Sequence, residues 1–238
     1  MMVHVLGGCA EDDVVGEAAL PADDITIPPP VGGGDTDERL PCSDDERVFR
    51  VHIETDGSSS DVWKETLKTY LRGLVTVEDL EPGELPASGS VVVSIETLDE
   101  THAPETMSLS MDSRNGCRVY NVRGRTRKAG AAVNIGLGFS TFELLRQLGF
   151  AFWHPFEPYA PATVEWPESL ALETSPRWPV RSFQIHTMHP IELADFLNGW
   201  GPEGLWDNTG FDEGFKEWDL YLHWLVANRQ NHVLWVLL

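Results

Sequence analysis

Four side chains between positions 181 and 206 carry groups that suit the recognition of a ligand rich in hydroxyl groups. The forked N–H donors of the Arg181 guanidinium match pairs of hydroxyls. His186, His189 and Trp206 follow within the same stretch, and aromatic rings stack on sugar rings. The pattern indicates a carbohydrate subsite built from these four side chains. The alternative is structural: Arg181 pairs with a core carboxylate, and the two histidines cap strand ends.

The same stretch contains a His-x-x-His-x-x-Glu pattern, formed by His186, His189 and Glu192. Side chains of these types bind zinc when they converge on one point. On a strand, residues three positions apart face opposite sides of the sheet. We therefore predict no metal site, and nothing in the sequence indicates a cofactor.

The elements that must position these side chains are a strand, a helix and a second strand. The first strand follows Arg177, and residues 215–229 carry apolar side chains at the spacings of three and four that mark a helix. Residues 233–238 are apolar at every position, as in a strand buried in a parallel sheet. Such a unit is the repeat of an open α/β sheet or a (β/α)₈ barrel. We expect 177–238 to be the start of a truncated barrel, in the front part of a larger protein.

Residues 47–176 carry the alternating patterns and turn signals of an α+β domain. Asn115 and Gly116 favour the positive φ angles of a tight hairpin turn. Gly136 and Gly138 are expected to let a helix approach the sheet closely, because the segment lacks the phosphate-loop pattern. We predict a mainly antiparallel sheet with two helices. The predicted elements are strands over 47–54 and 91–98, a hairpin of 106–111 with 117–122, helices over 62–74 and 131–148, and a short aromatic strand over 150–155.

The charge of the chain excludes one class of partner. The formal net charge is -21, which argues against nucleic acid because the phosphate backbone would be repelled. Much of the acid lies in residues 10–46, together with runs of three prolines and three glycines. This composition predicts a disordered acidic linker.

The first residues resemble a bacterial lipobox. Leu6-Gly7-Gly8-Cys9 matches the pattern in which the cysteine is lipidated after signal cleavage, although the segment before it is short and lacks a basic residue. We interpret 1–9 as a residual signal with lipidation at Cys9, the one expected membrane attachment. The expected location is exported, as a periplasmic or cell-surface lipoprotein of a bacterium. Cys42 and Cys117 either pair in an oxidising compartment or remain free thiols.

One long stretch carries a resemblance to known families. G-R-T-R-K-A-G-A-A-V-N-I-G-L-G-F-S-T-F-E-L-L-R-Q-L-G-F-A-F-W-H-P-F-E-P-Y-A-P, after a hairpin, resembles the N-terminal α/β domain of family 20 β-hexosaminidases and family 67 α-glucuronidases. The resemblance covers residue 47 to the end of the sequence. It implies an N-terminal domain over 47–176 in front of a (β/α)₈ barrel that begins at 177.

The resemblance also implies roles for individual residues. Arg181 matches the arginine that binds the sugar next to the scissile bond in family 20. Asn231 and Trp235 match an asparagine and a tryptophan of the second barrel strand, whereas Leu234 and Val236 stand where the family has histidines. The acidic catalytic pair of the family lies later in the barrel and has no counterpart in residues 1–238.

The sequence therefore predicts the N-terminal, non-catalytic part of an exported glycoside hydrolase-like protein that acts on a polysaccharide or glycan. This chain alone is expected to be inactive, because catalysis needs a pair of carboxylates that it lacks. The alternative is a non-catalytic surface lipoprotein that binds a glycan or a protein partner. The sequence leaves the sugar and the linkage open.

Overall fold

The computed structural model describes residues 50–55, 57–80, 90–114, 116–128, 131–186, 200–201, 204–205 and 211–236. The predicted signal over 1–9 and linker over 10–46 lie outside this part of the chain. The helices are α1 (Ser58–Leu71), α2 (Ile135–Gln147) and α3 (Phe211–Ala227). The strands are β1 (Arg50–Thr55), β2 (Thr76–Asp79), β3 (Val91–Thr97), β4 (Met107–Arg114), β5 (Cys117–Gly124), β6 (Ala171–Thr174), β7 (Ser182–His186), β8 (Trp200–Gly201), β9 (Gly204–Leu205) and β10 (His232–Val236).

Six strands form a mixed sheet in the order β2-β1-β3-β5-β4-β6. The pairs β1–β2, β1–β3 and β3–β5 are parallel, and only β4–β5 and β4–β6 are antiparallel. The prediction of a mainly antiparallel sheet is therefore wrong. Its cause is α1, which carries the chain from the end of β1 back to the start of β2, and such a crossover joins parallel strands.

The hairpin prediction is confirmed. β4 and β5 pair with Arg114 opposite Cys117, so a two-residue turn joins them. Gly116 has a φ of 79°, the positive value that this turn chemistry requires. Strand β6 pairs with β4 at one edge of the sheet, whereas the short strand β2 at the other edge was not predicted. The predicted aromatic strand is reduced to one isolated bridge between Ala151 and Tyr159.

Helix α2 begins at a defined cap. The Asn134 side chain accepts a hydrogen bond from the Leu137 N–H, so the helix starts at Ile135 and not at the predicted position 131. A Cβ on Gly136 would lie 2.8 Å from the carbonyl oxygen of Thr106, and one on Gly138 would lie 2.8 Å from a methyl of Val226. Close packing is thus the reason for both glycines, but the predicted approach to the sheet holds only for Gly136, next to the ends of β4 and β5, whereas Gly138 contacts α1 and α3.

The helices cover one face of the sheet and enclose the main core. Val91, Val93 and Ile95 of β3 belong to the buried cluster that includes α1 and α2. Val92 lies in a second buried cluster with Leu80 and Val119, because alternate residues of a strand face opposite sides of the sheet. Ala227 at the end of α3 belongs to the same buried cluster, so α3 packs on the N-terminal domain. The largest fully buried side chains are Tyr120, Phe142, Ile53, Leu67, Leu71, Ile95, Met107, Leu109, Leu137, Leu144 and Leu145.

The C-terminal unit is a strand, a helix and a strand, as predicted. β7 and β10 pair in parallel, with Phe183 opposite Val233, and α3 connects them in the chain. Two paired strands form part of an α/β arrangement and do not by themselves establish a barrel. Leu234 is 45% exposed, so β10 is not buried on both faces as its sequence predicts. None of the described helices is long and apolar enough to span a membrane.

Candidate functional site

The carboxyl ends of β7 and β10 meet at one edge of their sheet. His186 is the last residue of β7 and pairs with Val236, while Trp235 pairs with Ile185 one position earlier. Two of the predicted substrate-binding positions therefore lie at the same edge, offset by one residue in register, and consecutive positions of a strand belong to opposite faces of the sheet. The carboxyl ends of parallel strands are where ligands bind in barrels and open α/β sheets. The other two predicted positions of this stretch, His189 and Trp206, lie outside the described residues.

Arg181 lies at the opposite edge, directly before β7, and its guanidinium is committed to contacts within the protein. Nη2 donates to Oε2 of Glu105 at 2.7 Å, and Nη1 donates to the carbonyl oxygen of Trp178 at 2.7 Å. Nε donates to the carbonyl oxygen of Arg229. The guanidinium carbon also lies 5.2 Å from the centre of the Phe139 ring, a cation–π distance.

These contacts match the structural alternative for Arg181, namely pairing with a core carboxylate. They also place the side chain a strand's length away from His186. The sugar-binding role that the family resemblance implies for Arg181 stays a prediction. In the described contacts, the Arg181 side chain joins the start of β7 to the N-terminal domain through Glu105.

Glu105 is the carboxylate that organises this edge, and sequence reasoning missed it. Its side chain is only 2% exposed, and its backbone φ is 61°. A positive φ is unusual for a residue with a side chain and persists only where the surrounding contacts enforce it. Arg127 approaches Glu105 at 3.7 Å, in addition to the short Arg181 bond. No sequence signal marks this glutamate, since it lies in a turn before β4 without a recognisable motif.

Asn231 completes the cluster from the start of β10. Its Nδ2 donates to both carboxylate oxygens of Glu105, at 2.9 and 3.0 Å, and to the carbonyl oxygen of Pro179. Its Oδ1 accepts a hydrogen bond from the Arg181 backbone N–H. The family resemblance matched this asparagine to one on the second barrel strand, and in the structure its amide is engaged within the protein. The buried glutamate thus binds the amino-terminal ends of β7 and β10 together; we call Glu105, Arg127, Arg181 and Asn231 the Glu105 cluster.

A second polar pair lies between the helices. The Tyr70 hydroxyl lies 3.5 Å from Nδ1 of His223, and both rings pack against Phe142. Burial raises the pKa of Tyr70 to about 12. Burial also lowers the pKa of His223, and the negative charge of Asp219 opposes that shift only in part. The imidazole is therefore held neutral in the folded protein, which suits a packed core position.

The structure describes only a small part of the His-x-x-His-x-x-Glu pattern. His189 and Glu192 lie outside the described residues, and only the backbone of His186 is described. Within the described ranges, no three His, Cys, Asp or Glu side chains converge as a metal site. The proposed lipidation site Cys9 also lies outside them.

Comparison with known proteins gives a likeness at the level of solved structures only. No protein-family model and no curated protein matches the chain. Among solved structures, the chain is similar to a GH138 enzyme targeting pectin rhamnogalacturonan II, with 15% sequence identity and a TM-score of 0.41. The match covers 78% of this chain and 18% of that enzyme. A likeness of this strength assigns no family, and the narrower resemblance to families 20 and 67 stays a prediction.

Proposed function

We propose that this chain is the non-catalytic, glycan-binding part of an exported glycoside hydrolase-like protein. The observation that carries the proposal is the parallel pairing of β7 with β10 around α3. It brings His186 and Trp235 to neighbouring strand ends, at the kind of edge where α/β proteins bind ligands. The family resemblance supplies the class of ligand, a polysaccharide or glycan.

A screen of immobilised glycans with the purified chain tests this proposal. We expect saturable binding to at least one oligosaccharide, competed by the same oligosaccharide in solution. A correctly folded chain that retains no glycan across neutral, amino-sugar and acidic classes contradicts the proposal. A chain that binds a protein partner and no glycan supports the alternative of a surface binding protein.

The proposal includes the absence of hydrolysis by this chain. The two carboxylates of glycosidase catalysis lie beyond this sequence in the families that it resembles, and without them neither acid catalysis nor nucleophilic attack proceeds. Purified chain incubated with aryl glycosides should release no more phenol than buffer. Release that scales with protein concentration, and is absent from a mock purification, overturns this part of the proposal.

Export is supported by the state of one cysteine. Cys117, at the start of β5, is disulfide-bonded, and disulfides persist in oxidising compartments such as the periplasm. Attachment through a lipid on Cys9 remains a separate proposal. In protein isolated from its native cells and denatured to expose this buried residue, Cys117 should resist alkylation until a reductant is added. Complete alkylation of Cys117 without reductant contradicts the export proposal.

A further inference from the structure

The most exposed large aromatic side chain in the described part of the molecule lies outside both sites discussed so far. Trp153 is 84% exposed, and Tyr159 is 53% exposed. Their rings stack with an angle of 28° between planes and 6.3 Å between centroids. A single exposed aromatic residue needs no explanation, but two exposed aromatic rings in contact form one local apolar patch.

The loop that carries this pair is held rigid. Ala151 and Tyr159 exchange two backbone hydrogen bonds, of 3.1 and 2.9 Å, which close the loop at its base. The loop contains two prolines, Pro155 and Pro158, whose rings restrict the backbone. Phe156 packs into a cluster with Tyr221 and Leu225 of α3, so the middle of the loop is anchored as well. The rings are therefore positioned before any ligand arrives, which lowers the entropic cost of binding.

The size of the surface limits what it can bind. An aromatic side chain of this kind has about 150–250 Å² of surface, so Trp153 at 84% exposure and Tyr159 at 53% exposure together offer roughly 300 Å². A stable protein interface needs at least about 1,000 Å². The pair is too small for a protein partner or a second copy of the chain by itself. It matches one or two sugar rings, whose C–H bonds contact the negative face of an aromatic ring.

The overall charge of the chain selects among glycans. The formal net charge is -21, and the one cation placed close to the loop is Arg146, whose guanidinium carbon lies 5.9 Å from the Phe152 ring in the described part of the chain. An anionic polysaccharide, a phosphate or an acidic membrane surface therefore meets repulsion from the molecule as a whole. The exposed side chains of His154 and Glu157 flank the rings with groups that hydrogen-bond to sugar hydroxyls.

We propose that Trp153 and Tyr159 form a stacking platform for an uncharged polysaccharide. The platform lies near the start of β10, because Asn228 donates a hydrogen bond to the carbonyl oxygen of Phe152 at 3.2 Å and Val233 packs against the cluster that holds Phe156. The platform is thus built from other residues than the strand ends at His186 and Val236. This inference rests on the proposed function for the class of ligand and adds the place and the charge of that ligand.

The test compares variants of the full chain in titrations with uncharged hexasaccharides of glucose, xylose and mannose, and with an oligogalacturonate as the anionic probe. The variants are W153A and Y159A. The matched control is W178A, because Trp178 is 64% exposed and lies outside the loop. Each variant is first checked by circular dichroism and thermal unfolding, and both aromatic rings are exposed enough for folding to survive.

We expect the wild-type chain to bind an uncharged hexasaccharide and W153A to bind it about fivefold more weakly, since a stacked ring is worth on the order of 1 kcal/mol. Y159A should weaken binding less, and W178A should bind as the wild type. Equal binding by W153A and the wild type overturns the platform but leaves the proposed function intact. Tighter binding of the oligogalacturonate overturns its preference for uncharged glycans. No binding by the wild type contradicts the proposed function itself.

Discussion

Removing the charge of Glu105 should destabilise the protein more than any surface substitution. Glu105 is 2% exposed and accepts hydrogen bonds from Arg181 and Asn231. In Glu105→Ala, the Arg181 guanidinium keeps its carbonyl partners but loses its counter-ion in a mostly buried position. Breaking a buried ion pair in this way costs about 3–5 kcal/mol. Glu105→Gln keeps one acceptor oxygen, so we expect a smaller loss, of about 2–3 kcal/mol.

The backbone of Glu105 adds a sharper expectation. Its φ of 61° lies in the left-handed region, which costs a residue with a Cβ about 1–2 kcal/mol. Glycine adopts this conformation freely. Glu105→Gly should therefore be more stable than Glu105→Ala by about 1 kcal/mol, although both lack the carboxylate. In the interior of a helix or strand, by contrast, the alanine variant is the more stable of the two.

Urea unfolding followed by tryptophan fluorescence measures these differences. The control is Arg123→Gln, which breaks the exposed pair of Arg123 and Glu96 at 2.9 Å and should cost less than about 1 kcal/mol. A double-mutant cycle of Glu105→Gln with Arg181→Gln should give a coupling energy well above that of the surface pair. The reasoning is refuted if Glu105→Ala lowers the free energy of unfolding by less than about 0.5 kcal/mol, or if the Ala and Gly variants are equally stable.

Three further substitutions have defined outcomes. Tyr221→Phe should raise the free energy of unfolding by about 1 kcal/mol, because the buried Tyr221 hydroxyl has no hydrogen-bond partner in the described part of the chain; a loss in urea unfolding contradicts this. Burial lowers the pKa of His223 from 6.5, so stability should be full above pH 6.5 and fall as the pH decreases below it. His223→Gln should lose less stability than the wild type as the pH falls below 6.5. An identical dependence of stability on pH in the two proteins contradicts this prediction. Gly138→Ala should lower the thermal midpoint by several degrees, since the added Cβ meets the Trp63 ring at 2.5 Å; a midpoint like that of the wild type shows that the ring moves freely.

Sequence reasoning succeeded where the determining chemistry is local. The hairpin of β4 and β5 follows from one asparagine–glycine turn between two strand patterns, and Gly149, with a φ of 95°, ends α2 as a glycine after a helix does. The strand–helix–strand unit follows from two periodicities that alternate along the chain. Each of these features is encoded within a few residues.

Features set by distant contacts were missed. The parallel pairing of β1 with β2 depends on where α1 packs, and no local sequence pattern encodes that position. Glu105 and Arg181 are 76 residues apart in the sequence, so neither signals the other. The family resemblance implied a sugar-binding role for Arg181, and it gave no sign that Arg181 and Asn231 both contact a buried carboxylate. Trp153 and Tyr159 read as an aromatic loop in the sequence, and only the structure shows their rings parallel and exposed.

Isothermal titration of the purified chain with the oligosaccharides that it retains in the glycan screen is the most direct test of the account. We expect one saturable transition with a defined stoichiometry, and weaker binding in the W153A variant than in W178A. A folded wild-type chain that releases no binding heat with any oligosaccharide, at concentrations up to the millimolar range where weak glycan binding still registers, contradicts the claim that this protein binds glycans.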